Sequence, residues 1–260
     1  MEKVSIETLF SLQGKTVVVT GGAGGIGRSV ATYMAAAGAD IVILDISLEK
    51  GRVVAEEIRN LYGNKTCAIH CDVSQPEQVS AALDEAETLT GHLDVLVNNA
   101  GIGLHKSCLE VTPEEWLRVN NINYNGMFFV ATEFARRLIA ARRPGSIINT
   151  GSMAAKAVLV PQQQIAYNSS KAGVIQMTHT LAVELAEYDI RVNAVSPGYI
   201  FTELTGKRPQ EMRDAWVQRT PQKRMGTPED LGTAYIYLAS DSARFTTGCN
   251  IAVDGGYTLI

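Results

Sequence analysis

Short apolar runs alternate with amphipathic stretches along almost the whole chain. The runs at 16–20 (TVVVT), 41–45 (IVILD), 66–70 (TCAIH), 93–98 (LDVLVN), 146–150 (SIINT), 190–195 (IRVNAV) and 250–254 (NIAVD) are rich in β-branched residues and bounded by turn formers. They read as buried strands, apolar on both faces. Between them, helical periodicity is present near 26–37, 48–62, 76–90, 113–141, 165–187 and 228–239. This alternation predicts an α/β protein: a doubly wound, seven-stranded parallel sheet with helices on both faces. No repeat or low-complexity linker interrupts it, so 1–260 is expected to be a single domain with an N-terminal extension over 1–13. The stretch 199–227 breaks the pattern, with a helical segment around Trp216 between Gly206, Pro209 and Pro221. An insertion after a strand's C-terminal end is where a substrate lid is expected.

Charge and composition narrow the classes. A formal charge of −4 and a pI near 5.6 argue against a nucleic-acid or anionic-membrane surface. The basic pairs Arg136-Arg137 and Arg142-Arg143 precede Pro144-Gly145 and are expected to complement a helix C-terminus. The N-terminal residues do not resemble a signal peptide, and no apolar run reaches the roughly 20 residues of a membrane span, so a cytoplasmic protein is expected. Cys67, Cys71, Cys108 and Cys249 make no zinc-ligand pattern and read as thiols, the first two near the core. His70, His92 and His179 lack mutual metal spacing, so no metal is expected. His105 either lines the substrate pocket or is a satisfied loop histidine, the second being the reading favoured here. Ser11, Ser29 and Ser152 have no Ser-His-acid pattern around them, so a hydrolase finds no support.

The first chemistry-bearing motif follows the first strand. Gly22-Ala23-Gly24-Gly25-Ile26-Gly27 satisfies G-x-G-x-x-G at the start of a helix, where glycines allow a tight turn and a close approach of backbone to a pyrophosphate. Asp45 closes the next strand 18 positions beyond Gly27, near the spacing expected of a ribose-binding acid. Together they predict a Rossmann-type dinucleotide site, with NAD as the cofactor. A 2′-phosphate would lose a hydrogen bond to Asp45 and meet its charge, and Arg28 is the one nearby cation that could offset this.

The second motif is Tyr167-x-x-x-Lys171. Four residues make about one helical turn, which stacks a phenol beside an ammonium. A free tyrosine has a pKa of about 10, and a cation within about 4–6 Å can lower it by roughly 1–3 units; bringing it near 7 takes about 3 units, so a positive nicotinamide ring is expected to supply part of the shift. With these residues in place, the chain resembles the short-chain dehydrogenase/reductase family over roughly 12–260. Thr20-Gly21-x-x-x-Gly25-x-Gly27 matches its cofactor fingerprint, and Asp72-Val73 its adenine-contacting pair. Asn98-Asn99-Ala100-Gly101 matches its fourth-strand motif, and Asn123 lies where its tetrad asparagine stands. Ser152 follows the fifth strand, and Pro197-Gly198-x-Ile200-x-Thr202 resembles its nicotinamide-side motif. Two departures are present. Gly151 stands where the family often has serine, and Ser152 lies 15 residues before Tyr167, about two more than usual.

The resemblance implies a catalytic set of Asn123, Ser152, Tyr167 and Lys171, and hydride transfer between a carbinol carbon and nicotinamide C4. Tyr167 would exchange the hydroxyl proton, Ser152 would bond the same oxygen, Lys171 would also hold the nicotinamide ribose, and Asn123 would anchor a water leading to solvent. It also implies a homotetramer. The stretch VPQQQIAYNSSKAGV (160–174) resembles the polyol branch of the family, the mannitol, arabinitol and sorbose type, which implies a small polyol or ketose substrate. Amides suit hydroxyls, which makes Gln162, Gln164 and Asn168 candidate substrate contacts beside Ser152 and Tyr167; capping of the following helix or a subunit contact is the alternative for the glutamines. Two other functions stay open: reduction of a 3-oxoacyl thioester, with Lys207-Arg208 as part of a basic carrier-docking patch, and a non-catalytic cofactor-binding regulator.

Overall fold

A computed structural model describes residues 5–260, so Met1 to Val4 of the expected extension lie outside the described residues. All seven apolar runs are strands: β1 (Thr16–Thr20), β2 (Asp40–Asp45), β3 (Thr66–His70), β4 (Val95–Asn98), β5 (Gly145–Thr150), β6 (Ile190–Pro197) and β7 (Asn250–Val253). They form one parallel sheet in the order β3-β2-β1-β4-β5-β6-β7. The helices are α1 (Ile6–Leu9), α2 (Gly25–Ala36), α3 (Leu48–Tyr62), α4 (Pro76–Thr90), α5 (Pro113–Asn120), α6 (Met127–Ala141), α7 (Ile165–Glu184), α8 (Glu203–Gly206), α9 (Gln210–Arg219) and α10 (Glu229–Ala239).

The run-like apolarity of the strands has a direct cause in their two-sided burial. Val18, Val42, Leu44, Leu96, Ile147 and Val192 pack on one face with residues of α4, α6 and α7. Their strand neighbours Val17, Val19, Ile41, Ile43, Val97 and Ile148 pack on the other with α2, α3 and α10. Alternate side chains therefore enter separate cores, and the polar residues the strands do bury, such as Ser146, Asn149 and Asn193, are hydrogen-bonded. Helix ends follow local signals. Pro76 and Pro113 open α4 and α5, Gly63 and Gly91 close α3 and α4 at positive φ, and Thr112 and Glu115 form a reciprocal cap on α5.

The helix predicted over 113–141 is not continuous. Between α5 and α6, residues Asn121–Gly126 form a π-helical segment. A Cβ at Gly126 would stand 2.9 Å from Val73 Cγ2, so only glycine permits this approach. Asn123, in the same segment, turns its fully buried side chain onto the loop after β4. The widened turn is the device that aims it there. The helix-end reading of the arginine pairs is also revised. Arg137 pairs with Asp84, Glu87 and Glu133, Arg136 with Glu133, and Arg143 with Asp94. Only Arg142 occupies the helix C-cap, at φ 52°. The late part of the extension is anchored: Leu12 is fully buried, and its N–H donates to Ala37 O at 2.8 Å.

Strand order reverses direction at β1, flanked by β2 on one side and β4 on the other. At such a switch point the loops leaving adjacent strands diverge and open a crevice at their carboxyl ends. Every motif singled out in the sequence lies at that end of the sheet. The 199–227 stretch stands beside it as α8 and α9, where Tyr199, Trp216, Met153, Leu159 and Tyr257 make a third, small apolar cluster.

Candidate active site

A cavity of about 660 Å³ opens at the switch point. One end is built by the glycine loop between β1 and α2. Gly21 and Gly25 take φ of +64° and +52°, and a Cβ on Gly27 would lie 2.2 Å from Gly21 O. Glycine at 27 is thus what lets α2 start against the end of β1, with its N-terminal turn facing the cavity. Thr20 Oγ1 accepts from the N–H groups of Asn99 (2.9 Å) and Ala100 (3.0 Å), and Asn99 Nδ2 donates to Thr20 O (3.1 Å), tying the β4 loop to the glycine turn. At the end of β2, Asp45 accepts from Ala23 N (3.0 Å) and Ser47 N (2.9 Å). Arg28, the nearby cation, is engaged elsewhere by Glu57 at 2.7 Å. Asp72 is held by the backbone and hydroxyl of Ser74 at 2.9 and 2.7 Å, and Val73 beside it is buried. After β6, Gly198 passes so close to Asp254 that a Cβ would stand 2.6 Å from its Cα, and Thr202 faces Gly25 across the cavity. This combination of a side-chain-free loop, a helix N-terminus and an acid at the β2 end fits a dinucleotide.

The other end holds the catalytic candidates. Lys171 is only 3% exposed although charged, because α7 turns it inward in line with Val174 and Thr178. Its Nζ donates to Thr150 O at 2.7 Å and lies 5.9 Å from the Tyr167 ring centroid. Burial pulls the lysine down to about 8. The Tyr167 phenol is pushed up, not down: burial raises it, and a hydrogen bond with Ser152 pulls weakly the other way. Lys171, expected to lower the phenol together with a positive nicotinamide ring, therefore does not lower it in the chain by itself. The ammonium points at a carbonyl instead of at the phenolic oxygen, and desolvation outweighs the attraction. Asn123 Oδ1 accepts from Ile102 N and its Nδ2 donates to Ile102 O, both at 2.8 Å, with a further bond to Ser170 at 3.2 Å. Gly101 fits the small space left by Asn123 and Lys171. Gly151, where serine was expected, abuts Ser196 Oγ: a Cβ there would approach it to 2.6 Å.

With the protein's own geometry in view, its relatives can be placed. The family model described as "Enoyl-(Acyl carrier protein) reductase" matches residues 21–258. A short-chain type dehydrogenase/reductase from Mycobacterium marinum superposes with a TM-score of 0.94 at 42% identity, covering 98% of this chain and 100% of that one. The chain belongs to the short-chain dehydrogenase/reductase family. A sorbose reductase of Schizosaccharomyces pombe is 41% identical over 96% of this chain and 98% of its own. A probable NADP-dependent mannitol dehydrogenase of Yarrowia lipolytica is 39% identical over 95% of this chain and 89% of its own.

Most residues singled out in the sequence meet at this short-chain dehydrogenase cavity: Gly21, Gly25, Ile26, Asp45, Asp72, Val73, Asn99, Ala100, Gly101, Ser152, Gln162, Gln164, Tyr167, Lys171, Pro197, Gly198, Ile200 and Thr202 all line it. Gly27, Asn123 and Asn168 do not. Gly27 and Asn123 stand behind the wall and shape it, and Asn168 accepts a hydrogen bond from Gln164 Nε2 at 2.9 Å. Gln162 is buried and already partnered: it donates to Tyr199 Oη (2.8 Å) and accepts from Trp216 Nε1 (2.9 Å). Tyr199 and Trp216 are stacked with centroids 4.4 Å apart, so the 199–227 stretch is bonded to the loop before Tyr167. Sequence reading did not assign Tyr199, Trp216, Arg118 and Arg208 to the cavity wall; a tryptophan in a polar helical segment was the one signal available. His105 is a correction. It lines the cavity, and its Nδ1 is buried without a partner, so it is not a satisfied loop histidine. Cys67 and Cys71 are core-side thiols that burial pushes up to about 11 and about 12. Among the described residues no group of side chains could hold a metal ion, and no helix is long and apolar enough to cross a membrane.

The depressed Lys171 carries a stability signature. Its folded value, about 8, lies below the usual 10.5, so between those pH values the unfolded chain binds a proton that the folded chain has released. The burial cost is full below pH 8 and disappears as pH rises to 10.5. In urea unfolding, wild type should gain on Lys171→Met by up to about 3 kcal/mol between pH 7.5 and 10.5. A difference that stays flat across this window would show that the amine is not desolvated.

Proposed function

We propose that this short-chain dehydrogenase/reductase is an NAD-dependent enzyme that interconverts a secondary alcohol of a polyol with the corresponding ketose. The observation that carries the reading is the meeting of Ser152, Tyr167 and Lys171 with the glycine loop on one cavity whose far wall is built from amides and aromatic residues. NAD, when bound, supplies an acceptor for the hydride that leaves the carbinol carbon. Tyr167 receives the hydroxyl proton during oxidation and returns it to the carbonyl oxygen during reduction. Ser152 bonds the same oxygen. Because burial raises the phenol, the chain's own groups keep Tyr167 in the proton-donating form at neutral pH, which suits reduction. Lys171 has donor capacity left beyond Thr150 O for the nicotinamide ribose. Asn123, with its amide committed to Ile102, acts through the π-helical turn and leaves backbone carbonyls there for a water relay.

For substrate, Gln162 offers what its bonds to Tyr199 and Trp216 leave over, one N–H and one carbonyl lone pair. Gln164 offers the same kind of remainder, with Asn168 positioning it. A plain alkanol would leave these amides unpaired. The names of the sorbose and mannitol relatives agree with this. The 3-oxoacyl reading loses its basic patch: Lys207 is paired with Glu203 at 2.6 Å, while Arg208 lines the cavity. We further assign 199–227 as a substrate lid and the assembly as a homotetramer, supported by the exposed apolar side chains Leu117, Phe128 and Val183.

In initial-rate assays, four- to six-carbon polyols and ketoses should outperform simple secondary alcohols and 3-oxoacyl thioesters; either of the latter groups beating every polyol and ketose would overturn the assignment. Tyr167→Phe should lower kcat below a tenth of wild type with NADH binding nearly intact, measured by fluorescence titration. Retention of more than that would remove Tyr167 from the proton transfer. NAD should be preferred over NADP by about 100-fold in kcat/KM, through charge-assisted bonds from Asp45 and repulsion of a 2′-phosphate. Asp45→Ala should narrow the gap, and comparable use of both cofactors by wild type would reverse the assignment to the usage named for the Yarrowia relative.

A further inference from the structure

The substrate end of the cavity contains a cation that the proposed polyol chemistry does not use. Arg208, half-buried, lines the wall and has no hydrogen bond or ion pair for its side chain among the described residues. Four other cations of the same stretch are engaged nearby. Lys207 pairs with Glu203, Arg224 with Asp230, Lys223 donates to Gln218 O at 2.5 Å, and Arg213 donates to Arg208 O at 2.6 Å. The last bond fixes the backbone of Arg208, so its guanidinium springs from a braced corner.

His105 stands at the same end. Lys106 N donates to Gln163 O at 2.7 Å, which docks the 102–106 loop on the segment before Tyr167 and places His105 near Gln164. Its Nδ1 is buried and unpartnered. Burial, and then the charge of Arg208, hold its pKa below the usual value, which also places the guanidinium within electrostatic reach of the ring. The cavity's carboxylates, Asp45 and Asp72, both belong to the cofactor end, at the ends of β2 and β3. The substrate end therefore has a net positive charge and an unpartnered imidazole nitrogen, with no carboxylate among the described residues lining it.

We propose that the substrate is an acidic polyol, a polyhydroxy chain ending in an oxyanion, either carboxylate or phosphate, with Arg208 pairing the oxyanion and His105 bonding beside it. A guanidinium presents a planar fork that matches both anions and gains little from a neutral hydroxyl. Gln162 and Gln164 then serve the intervening hydroxyls, and the reacting carbinol lies at Ser152 and Tyr167. This inference rests on the polyol reading above and adds the chemistry of one end of the chain.

The test compares matched six-carbon substrates, a neutral polyol, its aldonate and its phosphate, with saturating NAD, in wild type, Arg208→Gln and Arg208→Lys. For wild type, kcat/KM for one of the two anions should exceed that for the neutral polyol by about tenfold or more, the scale of a charge-assisted contact, and the arm that does so identifies the oxyanion. Arg208→Gln should collapse that ratio by about tenfold, mostly through KM, and Arg208→Lys should restore part of it. Equal use of neutral and acidic substrates, or a ratio that survives Arg208→Gln, overturns the subsite and leaves the polyol reading standing. A variant that raises only the KM for NAD assigns Arg208 to the cofactor and also overturns it. Turnover of simple secondary alcohols with none of the three polyol classes would overturn both readings together.

Discussion

The burial of one ammonium organises the catalytic end of this molecule. Lys171 lies nearly out of water with Thr150 O as its hydrogen-bond partner, a position that costs stability unless the group serves something else. Its placement requires α7 to pack flat on the sheet, which in turn requires small or apolar residues at Ala166, Ser170, Val174 and Thr178. It requires the loop after β4 to come close, where a Cβ on Gly101 would stand 3.2 Å from Asn123 Oδ1 and 3.7 Å from Lys171 Nζ. The π-helical turn carrying Asn123 completes the enclosure by locking that loop through the backbone of Ile102.

The same economy of space governs the cofactor end. Gly27 brings α2 against Gly21, and Asn99 spans the gap between β1 and β4, so the two strands that diverge at the switch point are bonded together where they open. Rigidity here is functional. A proton and a hydride must move between groups held within a few tenths of an ångström, and a site built on strand ends and helix starts holds them better than one on free loops. By contrast, the far wall is borrowed from the 199–227 stretch, which joins the scaffold through Gln162, Tyr199 and Trp216. One wall is thus fixed by the fold and the other by an insertion, which is how a common chemistry acquires a particular substrate.

The electrostatics divide along the same line. Asp45 and Asp72 line the glycine-loop end of the cavity, while Arg208 and His105, whose imidazole is held below its usual value by burial and then by Arg208, line it elsewhere. Tyr167 lines the same cavity, its phenol raised by burial and only partly offset by its hydrogen bond with Ser152.

Periodicity and punctuation determined the strands, their parallel order and the site of the crevice, because two-sided burial writes itself as uninterrupted β-branched runs, and glycine at Gly21, Gly25 and Gly27 as a turn no other residue fits. The residues that the family motifs single out, Ser152, Tyr167 and Lys171, come together on one cavity. What the linear chain did not reveal depends on contacts between distant segments. At the π-helical break, Asn121–Gly126, Gly126 packs against Val73, some fifty positions away in sequence. Gln162, read as free to bind substrate, is engaged by Tyr199 and Trp216; the rise of Tyr167 comes from desolvation, which no spacing encodes. Arg208, read in the sequence as part of a possible carrier-docking patch, and His105, read as a loop histidine, are brought together on one cavity by the docking of the 102–106 loop before Tyr167 and by the 199–227 stretch. Local physics is legible in order along the chain, but side-chain satisfaction and charge environment are sums over neighbours that only the folded chain assembles.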